Sequence, residues 1–371
     1  MKTIVCSILL VFFWVSATAT HAGTSNNDEP VLVGAILPLS GEVAWMGSAM
    51  SDGIRMALAE GASKVMTVVF DDDQSVEKIP TISAANKLLN GGAKVLFVTA
   101  VNSGAAISSV VDKNSTLVLV LQDSNKTILK MSKNIFGFGF SNEKVGHDMA
   151  EFAVRNSVAS RVAIVSARDE WSEVVADAFK ERLIEKGGHV LVHEKVLLDD
   201  SDFRTLIARL KAKNVESVYF PLYKGSIVSF IKQAREGRLA AQLLTAEGLS
   251  EAEIKQLGEH AESIYLTNVW FDNPPFRQRY EKFTGKSSKD VNLGHVAIGY
   301  DAVKFIEKVI VLSKAKGITL HDALPSVEVN GELGATRFHE GRLSDRSQSI
   351  VVVKNGEFQL VSTLSNSDGV P

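Results

Sequence analysis

The feature that most constrains this chain is an alternation. Short apolar runs rich in Val, Ile and Leu recur between segments of helical period. The runs are VLVGAIL (31–37), KVMTVVF (64–70), AKVLFVT (93–99), STLVLVL (115–121), RVAIVSA (161–167), HVLVHEKV (189–196), SVYFPLY (217–223), AQLLTA (241–246) and SIYLTNVW (263–270). Short continuous apolar runs are the pattern of strands buried on both faces of a parallel sheet. Between them, Met50, Ile54 and Leu58 recur every four residues, and Gly61 can end that helix with positive φ. Val175, Phe179 and Leu183 repeat the pattern before Gly187-Gly188, and Phe203, Leu206, Ile207 and Leu210 form a third stripe. Sustained strand–helix alternation predicts an α/β, doubly wound architecture. About nine strands are too many for one small parallel sheet, and 371 residues suggest two domains, so the strands divide between two lobes.

Two stretches break the alternation. IFGFGFSNEKVG (135–146) reads as a loop connecting the lobes. TRFHEGRLSDRSQSIVVVKNGEFQLV (336–361) reads as strand, turn, strand, with Asn355-Gly356 as a hairpin signal.

Composition enters where it excludes function classes. A net charge of -3 gives no electrostatic reason to expect nucleic acid. The start is different in kind: Lys2 is followed by IVCSILLVFFWVSA and then small residues. This reads as a secretory signal peptide, cleaved near Ala19 or Ala22; the alternative is an uncleaved anchor, for which the run falls short of the ~20 residues a span needs. The single cysteine, Cys6, lies inside that signal. The exported chain is therefore expected to fold without disulfides, by its core alone.

Catalytic signatures are missing. The sequence has no GxSxG elbow, no HExxH and no P-loop; Tyr280 stands where a P-loop ending at Gly285-Lys286-Ser287 needs glycine. Asp71-Asp72-Asp73 closes an apolar run and reads as an acidic strand end that caps the next helix, since no further metal ligands converge on it. His189 and His193 share a strand face, which reads as a solvated face before it reads as a zinc pair. Trp45 and Trp171 each stand at the start of a predicted helix, either plugging a lobe surface or walling a cleft. Glu247 follows an apolar strand. It is either a ligand's ammonium partner at a strand's carboxyl end or a surface carboxylate beside a helix start.

In order and spacing these pieces resemble one family. GAILPLSGEVAWMGSAMSDGIRMALAE is similar to its first strand, ligand loop and first helix. VVFDDDQSVEKIPTISAANKLLNGGAKVLFV and VAIVSARDEWSEVVADAFKERLIEKGGHV resemble its next elements and the opening of its second lobe. AQLLTAEGLS, FRQRYEKFTGKSSKDVNLGHVAIGYDAVKFIEKVI and GATRFHEGRLSDRSQSIVVVKNGEF continue the likeness to the end. The family is that of the periplasmic solute-binding proteins of ABC transporters, in the leucine/isoleucine/valine-binding (type I) group.

The resemblance implies two doubly wound parallel-sheet lobes joined by a hinge. The lobes are expected at 30–140 plus 270–334 and at 141–269 plus 335–371, after a signal at 1–22. It implies a periplasmic receptor and no enzyme, with no cofactor and no metal. Its partners would be a small amino acid-like ligand and an inner-membrane ABC permease; the alternative is a periplasmic sensor of the same fold. Glu247 matches the family's ammonium-holding acid. Trp171, Tyr223 and Trp45 match positions around the pocket, and His295 falls where an apolar aromatic is common. Ser124 matches a hydroxyl that contacts the α-carboxylate, and Asn102 and Ser103 fall in the other carboxylate loop, in a register left open between them. The loop before Ser124 departs from the family by reading Leu121-Gln122-Asp123, in an orientation left open, and Asp123 and His295 add polarity to an aliphatic pocket, which widens the ligand class to polar or basic amino acids, amides and other small carboxylates.

Overall fold

The computed structural model describes residues 29–269, 272–339, 341–344, 346 and 348–362. The expected signal at 1–22, with Cys6, lies outside the described residues, as does Trp270 at the end of the ninth apolar run.

Along the chain the strands are β1 (Val31–Leu37), β2 (Met66–Asp72), β3 (Val95–Val98), β4 (Leu117–Val120), β5 (Asp123–Ser124), β6 (Ile135–Gly137) and β7 (Phe140–Ser141). Then come β8 (Val162–Ala167), β9 (Val190–Val196), β10 (Ser217–Tyr219), β11 (Gln242–Thr245) and β12 (Tyr265–Asn268). The last are β13 (Val329–Gly331), β14 (Gly334–Thr336), β15 (Phe338–His339), β16 (Leu343–Ser344), β17 (Ser349–Lys354) and β18 (Glu357–Ser362). The helices used below are α1 (Ala44–Ala59), α2 (Lys78–Asn90), α3 (Val101–Asn114), α4 (Asn142–Arg155), α5 (Glu170–Glu185), α6 (Arg204–Ala212), α7 (Gly225–Glu236), α8 (Glu251–Leu257), α9 (Pro274–Thr284) and α10 (Leu293–Lys316).

Two seven-stranded sheets carry the described residues, in the orders β15-β16-β6-β4-β3-β1-β2 and β18-β17-β12-β11-β10-β8-β9. Every residue of the central strands β3 and β4 is buried, which is why their sequences show no alternation. Helices cover both faces of each sheet. In the first lobe Met50 and Ile54 of α1 pack with Val296 and Val303 of α10 on one face. Ala84 and Leu88 of α2 pack with Ile107 and Val111 of α3 on the other. In the second lobe Leu206, Ile231 and Ile254 line one core and Met149 and Phe179 the other. The helices α1 and α10 touch backbone to backbone. A Cβ at Gly53 would land on the Val296 carbonyl, and one at Gly299 on the Met50 carbonyl.

The structure corrects two expectations. Residues 135–146 are more than a connecting loop: β6 pairs in parallel with β4, inside the first sheet. In FGFGF, Phe136, Phe138 and Phe140 alternate into the core while the glycines face neighbours too close for a Cβ, Gly137 against the side chains of Ser124 and Ile128 and Gly139 against the backbone of Gln122 and Asp123. This is period-2 strand patterning, disguised by glycine. The carboxyl-terminal stretch is also divided. β15 and β16 join the edge of the first sheet, and β17 and β18 join the second. The return to the second lobe therefore falls between Ser344 and Ser349, later than the expected boundary at 334/335. The hairpin itself forms as expected, with Asn355 at φ 54° and Gly356 at φ 73°, both positive as a type I′ turn requires. Among the described residues the chain passes between the lobes near β7, after β12 and after β16.

Candidate functional site

The carboxyl ends of the two sheets face each other, and the loops leaving them enclose a cavity of about 280 Å³. This is where an open parallel sheet presents ligand-binding loops. Trp45, Asn102 and His295 reach it from the first lobe, and Trp171, Tyr223 and Glu247 from the second.

Each wall has a local cause. The Asp72 carboxylate collects the amides of Leu39, Ser40 and Gln74 at 2.8, 3.2 and 2.9 Å. It thereby ties the loop after β1 to the loop after β2, and Trp45 follows in the first turn of α1. Asp73 accepts from the Val76 amide at 3.0 Å. The aspartate run thus organises backbone, and the turn it holds brings Ser75, Val76 and Glu77 to the cavity. In the second lobe, Asp169 caps α5 by accepting from the Ser172 amide, and the Ser172 hydroxyl donates to the Pro221 carbonyl at 2.6 Å. That bond couples the start of α5 to the end of β10, and so Trp171 to Tyr223. Their rings meet edge to face, 5.4 Å apart at 89°. Trp45 and His295 form the corresponding pair across the cleft, 5.1 Å apart at 85°. The cavity therefore has one aromatic pair from each lobe.

Glu247 stands two residues past β11, beside Gln348, whose side-chain amide donates to its Oε2. Burial, then the charge of Asp123, push the Glu247 carboxyl up to about 8, while Gln122 pulls the other way without a hydrogen bond of regular geometry. Asp123 is pushed up to about 7 by burial, against donation from Asn142. Its Oδ1 accepts from the Val101 amide at 2.9 Å and its Oδ2 from Asn142 at 3.1 Å. Burial pushes His295 down to about 3, so the ring is neutral, and neither of its nitrogens has a partner. Lys224 lines the cavity with its Nζ 3.7 Å from Glu77 of the opposite lobe. Near the hinge, Asn125 donates to Glu170 across the lobes at 2.6 Å. The lobes are thus closed on each other.

Two expected residues lie elsewhere. Ser124 is buried in β5, its hydroxyl 3.5 Å from the Gly139 carbonyl, because adjacent residues of an extended segment point to opposite sides. Ser103 is buried beneath the 73–76 turn, beside Asp73. Asn102 is the member of that pair that lines the cavity. Gln122, Asp123 and Lys224 also line it. Lys224 carried no sequence signal beyond its place after an apolar run. Among the described residues no group of three or more metal-ligating side chains converges. The histidine pair is accounted for separately: His193 sits 3.0 Å from the Ser166 hydroxyl of β8 and His189 is exposed.

Two α/β lobes closed around a cavity walled by an aromatic pair from each are the architecture of a solute-binding protein. The chain belongs to the periplasmic binding protein family, whose model matches residues 30–357. The family binds solutes for transport and is not one of enzymes. A Leu/Ile/Val-binding protein homolog from Brucella melitensis is 29% identical over 267 residues, 69% of this chain and 72% of the relative. The Leu/Ile/Val/Thr-binding protein of Salmonella typhimurium is 23% identical over 68% of this chain and 71% of its own length. Among solved structures, a leucine binding protein from Thermotoga maritima superposes with a TM-score of 0.82 at 22% identity, covering 91% of this chain and 99% of its own. A solute binding protein from R. palustris in complex with benzoate reaches 0.78 at 18% identity, covering 90% and 96%. Solved structures of this fold hold chemically different ligands, benzoate in that one and isoleucine in a branched-chain amino acid binding protein from Streptococcus pneumoniae, so the fold alone does not set the ligand.

Proposed function

We propose that the protein is the periplasmic receptor of an ABC importer, capturing an amino acid or amino acid-like small solute between its lobes. Its relatives named for Leu, Ile and Val binding support the ligand class. The observation that carries it is Glu247: a carboxylate enclosed with two aromatic pairs, one per lobe, accepts an ammonium group while the rings cover the apolar part. Residues Trp45, Asn102, Trp171, Tyr223, Glu247 and His295 form the binding set in this reading, with Ser103 and Ser124 buried behind it. Two rigid lobes move about the crossing segments, and ligand contacts to both select the closed form. The segment at 1–22 directs export and is removed, and the closed form docks on an inner-membrane permease.

The test is a thermal-shift screen of the refolded mature protein against amino acids, amides, amines, urea and small carboxylates. A ligand at ~100 times its dissociation constant adds ~2.7 kcal/mol of apparent stability. At least one amine-bearing solute should raise the melting point of wild type and not of Glu247→Ala. A response only to solutes without an amine, or an equal response in both proteins, would remove Glu247 from the ammonium role.

A further inference from the structure

An α-amino acid brings a carboxylate as well as an ammonium group, and the cleft has to place both. The natural place for a carboxylate is a helix N-terminus, where free amides and the helix dipole favour negative charge. Several helix N-termini open on this cavity, and that of α3, through Ala100 and Asn102, is the one beside Gln122 and Asp123. Its first amide, Val101 N–H, is already donated to the side chain of Asp123. The chain has put its own carboxyl where a ligand's would go, and a second carboxylate there would meet a like charge. The cation among the described lining residues, Lys224, faces Glu77.

Gln122 adds an independent observation. It lines the cavity beside Glu247, is only 7% exposed, and neither its Nε2 nor its Oε1 makes a hydrogen bond of regular geometry. A buried primary amide without such bonds calls for a ligand group that accepts from Nε2 and donates to Oε1. A carboxylate only accepts, and would leave Oε1 orphaned. A carboxamide does both, in one plane, and its second N–H is free to donate toward Asp123.

We propose that the cleft selects amino acid-like solutes whose carboxyl group is replaced by a carboxamide. Gln122 pairs with the amide, Asp123 repels the free acid, and Glu247 holds the ammonium group. This rests on the receptor reading above and narrows its ligand class; Gln122 and Asp123 are its specificity determinants.

The test is isothermal titration of the refolded mature protein with matched pairs: leucine and leucinamide, valine and valinamide, phenylalanine and phenylalaninamide. The work is done at pH 7, where an α-amino group of pKa about 7.7–8.0 is still mostly protonated. The carboxamide should bind at least tenfold tighter than its acid in at least one pair. Gln122→Leu should collapse that ratio to less than threefold. Asp123→Asn should raise affinity for the acid, since its Oδ1 keeps the Val101 bond and Asn142, whose Oδ1 has no partner, can turn over to accept. If Gln122→Leu does not fold, the wild-type ratios and Asp123→Asn still decide. An acid that binds tighter than its amide overturns the proposal and leaves the receptor standing. Binding confined to solutes outside these pairs does the same. No binding by any pair or by any member of the wider panel overturns both.

Discussion

The Asp123 carboxylate accepts a 2.9 Å hydrogen bond from the backbone N–H of Val101, so the end of one strand caps the helix that follows its neighbour. Both of its oxygens are engaged, the second by Asn142 at the start of α4. The residue therefore joins the first lobe, the crossing to the second, and the cavity floor. Asp123→Ala should strip partners from two buried donors and cost about 2–3 kcal/mol in urea unfolding. Asp123→Asn should cost less than half as much. Equal losses in the two variants would mean that the hydrogen bonds are not what this carboxyl contributes.

Glu247 should make the ligand-free protein sensitive to alkali. Its carboxyl is raised from 4.5 to about 8, so the folded form holds a proton that the unfolded chain gives up. The contribution is full below about pH 4.5 and is lost as the pH climbs to about 8. Between pH 5 and 8 the melting point of wild type should fall by a few degrees more than that of Glu247→Gln. Parallel melting curves for the two proteins would show that Glu247 does not titrate in this range.

The Trp171–Tyr223 pair should matter for affinity more than for folding. Trp171 is only part-buried and sits in the first turn of α5. Trp171→Ala should weaken the best ligand by roughly tenfold to a hundredfold, the worth of ~1.4–2.8 kcal/mol of lost ring contact. Titration calorimetry checks this, and an unchanged dissociation constant would place the ring outside the ligand envelope.

Gly53 offers a test of the fold. Alanine is the better helix former by ~1 kcal/mol, yet its Cβ would meet the Val296 carbonyl of α10. Gly53→Ala should therefore destabilise the first lobe, by at least ~1–3 kcal/mol. A neutral or higher melting point would mean that α1 and α10 can separate at little cost.

Lys224 holds φ 58° and ψ -154° at the start of α7, a conformation that only glycine adopts freely. Lys224→Gly should relieve about 1–2 kcal/mol of strain and raise the melting point of the empty protein. It should also remove the contact to Glu77 and speed ligand release. Stopped-flow dissociation and thermal melts separate the two effects, and a lower melting point would show that the cross-lobe pair outweighs the strain.

The sequence by itself determined the alternation, and with it the class. Buried parallel strands have to be continuous and apolar, and the helices that cover them have to carry a stripe, so β1 to β4 and β8 to β12 were legible in the residues alone, although β2 and β9 prove to be part-exposed edge strands. The Asn355-Gly356 turn was legible for the same local reason, since few residue pairs accept two positive φ values. Trp45, Trp171 and Glu247 could be singled out because each stands just past a strand or at a helix start, and Tyr223 and His295 only through the family resemblance. Tertiary structure decided everything that depended on direction and on distant partners. Whether Ser103 or Asn102 faced the cavity, and whether Ser124 or Gln122 and Asp123 did, turned on the phase of one or two residues in short irregular segments. Composition does not encode that phase. Likewise β6 was hidden because Gly137 and the following Gly139 are set by residues 122–128 packed against them, and β16 because its partner lies some 200 residues earlier in the chain. The charge state of the cleft was also a tertiary outcome: Glu247 and Asp123 are far apart in sequence, and the closed lobes put both in one low-dielectric space where the Asp123 charge opposes the ionisation of Glu247.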